Sequence, residues 1–253
     1  MKAHNEDDEV NVVKIEIFDR IERLAERVSD LLARQLEVSP DSRVGLATGA
    51  TMVPIYEEMV RHVQQNRLNL SGVTTFNLDE YVGLGESDAG SFRRFMRMNL
   101  FQPSKLSPGQ SFFPWPDFAP DFAAYDDFID TSGGIDWQIL GIGRNGHIGF
   151  NEPLTPWNSK THEVILSDDT RYANRQAFEG DWRKVPTKAV TMGIETILRA
   201  RTIILVALGN QKKAILAQAL HGPVTPEVPA SILQEHSRAV VLCDRAAGSL
   251  LDN

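Results

Sequence analysis

The sequence predicts an α/β fold: a largely parallel sheet with helices on both faces, doubly wound in the Rossmann-like manner. Three observations carry this. Short apolar runs alternate with longer segments of helical periodicity. The cleanest run, TIILVALG at 202–209, is apolar on both strand faces, as strands are when helices cover a parallel sheet on two sides. Several runs end in glycine turns that lead into helices, and open α/β sheets place ligands beyond such strand ends.

The elements follow in order. VVKIEIF (12–18) alternates apolar and polar residues and reads as a strand. Ile21, Leu24, Val28, Leu31, Leu32 and Leu36 then recur at helical spacing. RVGLATG (43–49) is a strand entering a Gly/Thr turn, and 51–66 is a helix with Thr51 as its N-cap and Pro54 in its first turn. VTTFNLDEYV (73–82) is strand-like, and SFRRFMRMNLF (91–101) is helical. A Pro- and aromatic-rich connection covers 103–120, and a short helix around 121–130 precedes a strand at Ile135 to Leu140. EVILS (163–167), TIILVALG and RAVVLCD (238–244) are the remaining strands, with the helix NQKKAILAQAL after the second of them and Asn210 as its cap.

At 253 residues the chain is expected to form a single domain over 1–253, with residues 1–10 a flexible tail. The net charge of −8 argues against nucleic acid, whose phosphates need a basic face. No run is long and apolar enough for a membrane span, and the acidic N-terminus lacks a secretory core, so a cytoplasmic setting is expected. The one cysteine, Cys243, cannot form an intrachain disulfide and sits in a strand core.

Four segments carry the chemistry. GIGRNGHIGFNEP (141–153) packs Asn145, His147 and Glu152 into a glycine-rich loop after a strand, a placement suited to an imidazole acid/base. His147 has no second ligand at metal spacing, so no metal is expected. NLDEYVGL (77–84) offers Asp79 or Glu80 as a general base. Neighbours on an extended chain face opposite ways, so only one can reach a pocket while the other is left to cap the next helix. LATGAT (46–51) places backbone N–H groups and the hydroxyls of Thr48 and Thr51 at a helix start, which suits a phosphate. ALGNQKKAI (207–215) puts Lys212 or Lys213 in a first helical turn, where a cation opposes the dipole unless an anion is near. The other histidines (His4, His62, His162, His221, His236) read as surface or packing residues.

Together these segments resemble the glucosamine-6-phosphate deaminase (glucosamine-6-phosphate isomerase) family over about residues 12–245. GLATGAT, TTFNLDEYVGL, LGIGRNGHIGFNEP, DDTRYAN, VPTKAVTMGI, LGNQKKA and PASILQEH occur in family order. LDEYVGL and GHIGFNEP are the specific motifs, and LDEYVGL with Phe150–Asn151–Glu152–Pro153 resembles the deaminase branch of a superfamily that also holds 6-phosphogluconolactonases and sugar-sensing domains.

The resemblance implies an aldose–ketose isomerising deaminase, a hydrolase or isomerase acting on glucosamine 6-phosphate or a close amino-sugar phosphate, without a cofactor. It implies a catalytic set of Asp79 as the C2–C1 base, His147 as the ring-opening proton shuttle, Glu152 orienting that histidine, and Asn145 where many members carry Asp. Thr48, Gly49, Ala50, Thr51 and Lys212 match phosphate-binding positions. Family members usually have Gly at the position of Ala50, where a methyl group could disfavour positive φ. They have a phosphate-binding Arg where Gln176 stands, and Arg175 is its neighbour. THEVIL (161–166), with His162 and Val164, resembles the non-allosteric members, implying a monomer or small homo-oligomer. The alternatives are a 6-phosphogluconolactonase-type hydrolase, which needs no C2 base, and a non-catalytic sugar-phosphate-binding domain. With an unperturbed imidazole, protonation of His147 would lower activity below about pH 6.

Overall fold

The computed structural model describes residues 13–251, so the expected tail at 1–10 and His4 lie outside the described residues. From the N-terminus the elements are β1 (Lys14–Phe18), α1 (Ile21–Val38), β2 (Arg43–Leu46), α2 (Val53–Gln64), β3 (Thr74–Asn77), β4 (Asp79–Tyr81) and α3 (Phe92–Met96). They continue with β5 (Ser111–Phe112), α4 (Ala123–Thr131), β6 (Trp137–Gly141), β7 (His162–Ile165) and α5 (Asp168–Asn174). The last are β8 (Lys188–Thr191), α6 (Ile194–Leu198), β9 (Ile203–Ala207), α7 (Lys213–His221), β10 (Ala239–Asp244) and α8 (Arg245–Gly248).

The main sheet has seven strands in the order β1-β10-β9-β6-β2-β3-β5, and every pairing in it is parallel. All five residues of β9 are buried, as its apolar sequence requires of a central strand. From β2 the chain moves outward to β3 and β5, whereas from β6 it moves the other way to β9 and β10. The strand order therefore reverses between β2 and β6, and the carboxyl ends of those strands open on a crevice.

One carboxylate pins the three central strands at their opposite ends. Asp136, just before β6, accepts from the backbone N–H and the Nε of Arg43 at the start of β2, both at 2.8 Å. It also accepts from Arg201, just before β9. Asp136 is buried, and two guanidiniums with a backbone donor compensate its charge. The register thus fixed (Val44 beside Trp137, Gln138 beside Ile203) also fixes where the loops after β2, β6 and β9 emerge.

Three sequence expectations need correction. The 73–82 run is not one strand: β3 stays in the main sheet, and β4 leaves it to pair antiparallel with β8 in a small sheet ordered β4-β8-β7. Thr51 and Asn210 are not side-chain caps. Each lies inside a 3₁₀ turn (50–52 and 210–212) that feeds α2 or α7, and neither helix start has a side-chain cap bond. The 91–101 helix is α3 followed by a π-helical turn at 97–101. Among the described residues, no helix is long and apolar enough to cross a membrane.

Candidate active site

The crevice beyond β2, β6 and β9 is about 400 Å³ and is lined from six stretches of chain. Thr48, Gly49, Ala50 and Thr51 come from the turn after β2, Asp79 from β4, His147 from the glycine loop after β6, and Lys212 from the turn after β9. Arg175 lines it too, so all but two of the ten catalytic and phosphate-binding residues that the resemblance implied meet there. The two exceptions, Glu152 and Asn145, stand behind His147 rather than on the wall.

The turns after β2 and β9 share one construction. Gly49 takes φ +98° and Gly209 φ +88°, each directly before a 3₁₀ turn. Left-handed φ is cheap only for glycine, so these positions set both turns. Ala50 is not among the positive-φ residues. The strain expected of a methyl group there does not arise, because Gly49 takes the unusual backbone angle. Lys212 donates from Nζ to the Ile142 carbonyl at 2.7 Å, so its ammonium is held at the mouth of the glycine loop. Burial first and Arg144 second push its pKa down to about 8.

Asp79 and Glu80 part as strand alternation demands. Glu80 turns away and accepts from Ser91 Oγ at 2.8 Å and from the backbone N–H groups of Tyr81, Phe92 and Arg93, closing the start of α3. Asp79 faces the crevice and is 6% exposed. Burial pushes its carboxyl up to about 8, and the Glu80 charge adds to the shift. The walls beside it, Leu78, Phe92 and Phe150, are apolar, with Phe92 and Phe150 stacked at 5.8 Å between ring centroids. The small sheet brings the two distant segments together: Asp79 pairs with Thr191, and Thr191 Oγ1 accepts the Phe150 N–H of the glycine loop at 3.0 Å.

His147 lies over Gly143, where a Cβ would come within 2.3 Å of the imidazole. Glycine is needed there for close approach. Glu152 Oε2 stands 3.9 Å from His147 Nδ1, which is buried and without a hydrogen bond. Burial pushes the imidazole down to about 4; the Glu152 charge opposes this and Lys212 reinforces it. Glu152 is held from both sides, with Asn145 Nδ2 donating to Oε2 at 2.6 Å, Ser167 Oγ to Oε1 at 3.2 Å, and Thr170 Oγ1 also to Oε1. Asn145 Oδ1 also accepts the His147 backbone N–H at 3.3 Å.

Arg175 reaches the crevice with its guanidinium 3.8 Å from the Tyr172 ring centroid, donating from Nη1 to the Tyr172 carbonyl at 2.6 Å. Gln176 does not line the crevice. Arg144, Tyr172 and Asn174 also line the crevice, with no role expected of them from the sequence. Arg144 could have been found from its place inside GIGRNGH; Tyr172 and Asn174 needed α5. His62, by contrast, is wholly buried beside Glu58 of the same helix, 2.8 Å from Nε2 to Oε1, and belongs to packing. Among the described residues, no group of three or more His, Cys, Asp or Glu is placed to hold a metal ion.

The arrangement can bind an anion at the two glycine turns and Lys212, and can move protons with a buried carboxylate and a neutral imidazole.

The model of the glucosamine-6-phosphate isomerases and 6-phosphogluconolactonases matches residues 18–242. The glucosamine-6-phosphate deaminase of Geobacillus sp. (strain WCH70) is 41% identical over 233 residues, covering 91% of this chain and 92% of the relative. Glucosamine-6-phosphate deaminase 2 of Bacillus subtilis (strain 168) is 42% identical over 243 residues, covering 94% and 98%. A solved monomeric glucosamine-6-phosphate deaminase superposes with a TM-score of 0.90 at 38% identity, over 94% of this chain and 100% of that one. A 6-phosphogluconolactonase from Thermotoga maritima gives a TM-score of 0.73 at 18% identity, over 92% of this chain and 99% of that one, a likeness of fold alone. On the extent of these matches, the chain belongs to the family of glucosamine-6-phosphate isomerases and 6-phosphogluconolactonases.

Proposed function

We propose that this chain is an aldose–ketose isomerising deaminase that converts glucosamine 6-phosphate and water to fructose 6-phosphate and ammonia. The observation that carries the reading is that Asp79, His147 and Lys212 face one crevice although they are far apart in sequence. In this reading the sugar phosphate lies with its anion on the 48–51 turn, the Lys212 ammonium and Arg175. Half-buried and neutral, His147 takes the O1 proton of the ring form and returns one to O5, opening the ring. Ionised Asp79, held against C2, removes the C2 proton to leave an enolamine, and proximity supplies much of the rate. Return of that proton to C1 gives the ketose imine, and water then releases ammonia. Glu152 and Asn145 act through His147 as positioning residues.

The relatives' names support deamination of an amino-sugar phosphate and lend nothing to a hydrolase label. The family description also names lactonases. A lactonase has no use for a base at C2, so Asp79 on the crevice wall favours the deaminase. The likeness to a monomeric deaminase favours a monomer here, which sedimentation of the pure protein would check.

The test is to incubate the pure chain with glucosamine 6-phosphate and measure fructose 6-phosphate and ammonia. Equimolar products that vanish in Asp79→Asn support the reading. Hydrolysis of 6-phosphogluconolactone that persists in Asp79→Asn, with no ammonia from the amino sugar, establishes the lactonase instead.

A further inference from the structure

The Glu152 carboxylate has a support that none of the roles above uses. Thr170, on α5, is 3% exposed, and its hydroxyl donates to Glu152 Oε1. Its backbone N–H donates to Ser167 Oγ at 3.2 Å, and its carbonyl accepts from Asn174 Nδ2 at 2.9 Å. Asn174 lines the crevice together with Tyr172 and Arg175. An unbroken hydrogen-bonded path thus runs from the crevice wall through Thr170 to Glu152, whose other oxygen faces His147.

We propose that Thr170 is a positioning residue that fixes the rotation of the Glu152 carboxylate toward His147 and ties it to the crevice wall at 172–175. The inference rests on the deaminase reading of the site. The physical need is plain. The terminal torsion of a glutamate is broad and only weakly self-restrained, so one donor on Oε2 leaves Oε1 free to swing. Thr170 supplies the opposing anchor on Oε1, and a hydrogen bond to a charged group is the stronger kind. Ser167 cannot replace it fully, because its hydroxyl lies 3.2 Å from Oε1 and also faces Thr170 Oγ1 at 3.1 Å with one proton to give.

The substitutions that test this pull in opposite directions. Thr170→Val keeps the branched shape and removes the hydroxyl. Thr170→Ser keeps the hydroxyl and removes a methyl group. If Thr170 acts through its hydroxyl, Val lowers kcat about 10-fold with KM within about 2-fold, and Ser stays within about 3-fold of the parent. If Thr170 only fills space, the order inverts: Val keeps activity, Ser loses it, and the proposal falls. Thermal melts of each variant establish that it is folded. Should Val not fold, Thr170→Cys against Thr170→Ser makes the same comparison with a weak donor at smaller volume, and equal activity there overturns the proposal. Absence of ammonia release by the parent chain refutes the deaminase reading, and the inference with it. An active parent with an unaffected Val variant refutes the inference alone.

Discussion

Glu152 stands 3.9 Å from the Nδ1 of His147 and makes no hydrogen bond to it. Its oxygens are taken up instead by Asn145, Ser167 and Thr170. An aspartate at 145 would set two carboxylates against each other, whereas the Asn145 amide donates to Glu152 at 2.6 Å. Burial pushes the imidazole down to about 4 against the Glu152 charge and keeps it neutral.

The pH profile is therefore governed by other groups than an unperturbed histidine would suggest. Asp79 must be ionised to act as a base, and burial pushes it up to about 8. Below that value kcat/KM should climb with pH as the carboxyl ionises. Beyond about 8 the Lys212 ammonium is lost from the free enzyme, and kcat/KM should turn down. The fall below about pH 6 expected from an ordinary imidazole belongs to Asp79. A kcat/KM profile flat from about pH 6 to pH 9 would contradict this assignment.

The same shift makes Asp79 a cost to stability. Its folded pKa of about 8 lies above the unfolded carboxylate value of 3.8, so the folded state keeps a proton that the unfolded chain releases. That contribution is whole below about pH 4 and is lost as the pH rises through 8. Asp79→Asn carries no such loss. Its melting temperature should match the parent near pH 4 and exceed it increasingly up to about pH 8. Melts at several pH values check this, and a variant that is less stable at pH 8 than the parent speaks against the buried carboxyl.

Gly143→Ala should leave the fold standing and damage catalysis. The new methyl group would lie within 2.3 Å of the His147 ring, so the imidazole must move. A displacement on the order of 1 Å costs about 100-fold in rate. Steady-state kcat together with a thermal melt separates this from unfolding; an unchanged kcat would mean that the ring position does not matter.

Lys212→Met should raise KM for the phosphorylated sugar about 10- to 100-fold, with a smaller change in kcat. Arg144→Gln should act in the same sense but more weakly, because Arg144 is more exposed than Lys212. Glucosamine without its phosphate should be turned over equally poorly by parent and variants. Comparing kcat/KM for the two sugars tests whether the cations read the anion.

Much of the frame was legible in the sequence for a simple reason. The strands that build the crevice, β2, β6 and β9, are buried between helices, and the runs of β2 and β9 lead into Gly49 and Gly209, which take left-handed backbone angles. Strand alternation also separated Asp79 from Glu80 before either was placed. The small sheet was not legible. Residues 73–82 look like one strand, and only the pairing of Asp79 with Thr191 shows that the chain changes sheets at Leu78. β8 is four residues long with an exposed lysine at its start, too short to carry a period. α5 and α6 were missed on the same ground, at seven and five residues. DDTRYAN (168–174) matched the family, but without α5 no role could be read for Thr170, Tyr172 or Asn174, although Ser167 three residues before Thr170 is an N-cap spacing that could have been read.

The role of Asp79 as the C2 base can be followed with a label: glucosamine 6-phosphate deuterated at C2 is given to the parent chain and to Asp79→Asn. The parent should give ammonia and fructose 6-phosphate with the deuterium moved to C1 or exchanged into water, and should turn over more slowly than with the protonated sugar; Asp79→Asn should lose about 1,000-fold. Ammonia release by Asp79→Asn at the parent's rate, or equal turnover of the deuterated and protonated sugars with no deuterium at C1 or in the solvent, refutes the role of Asp79.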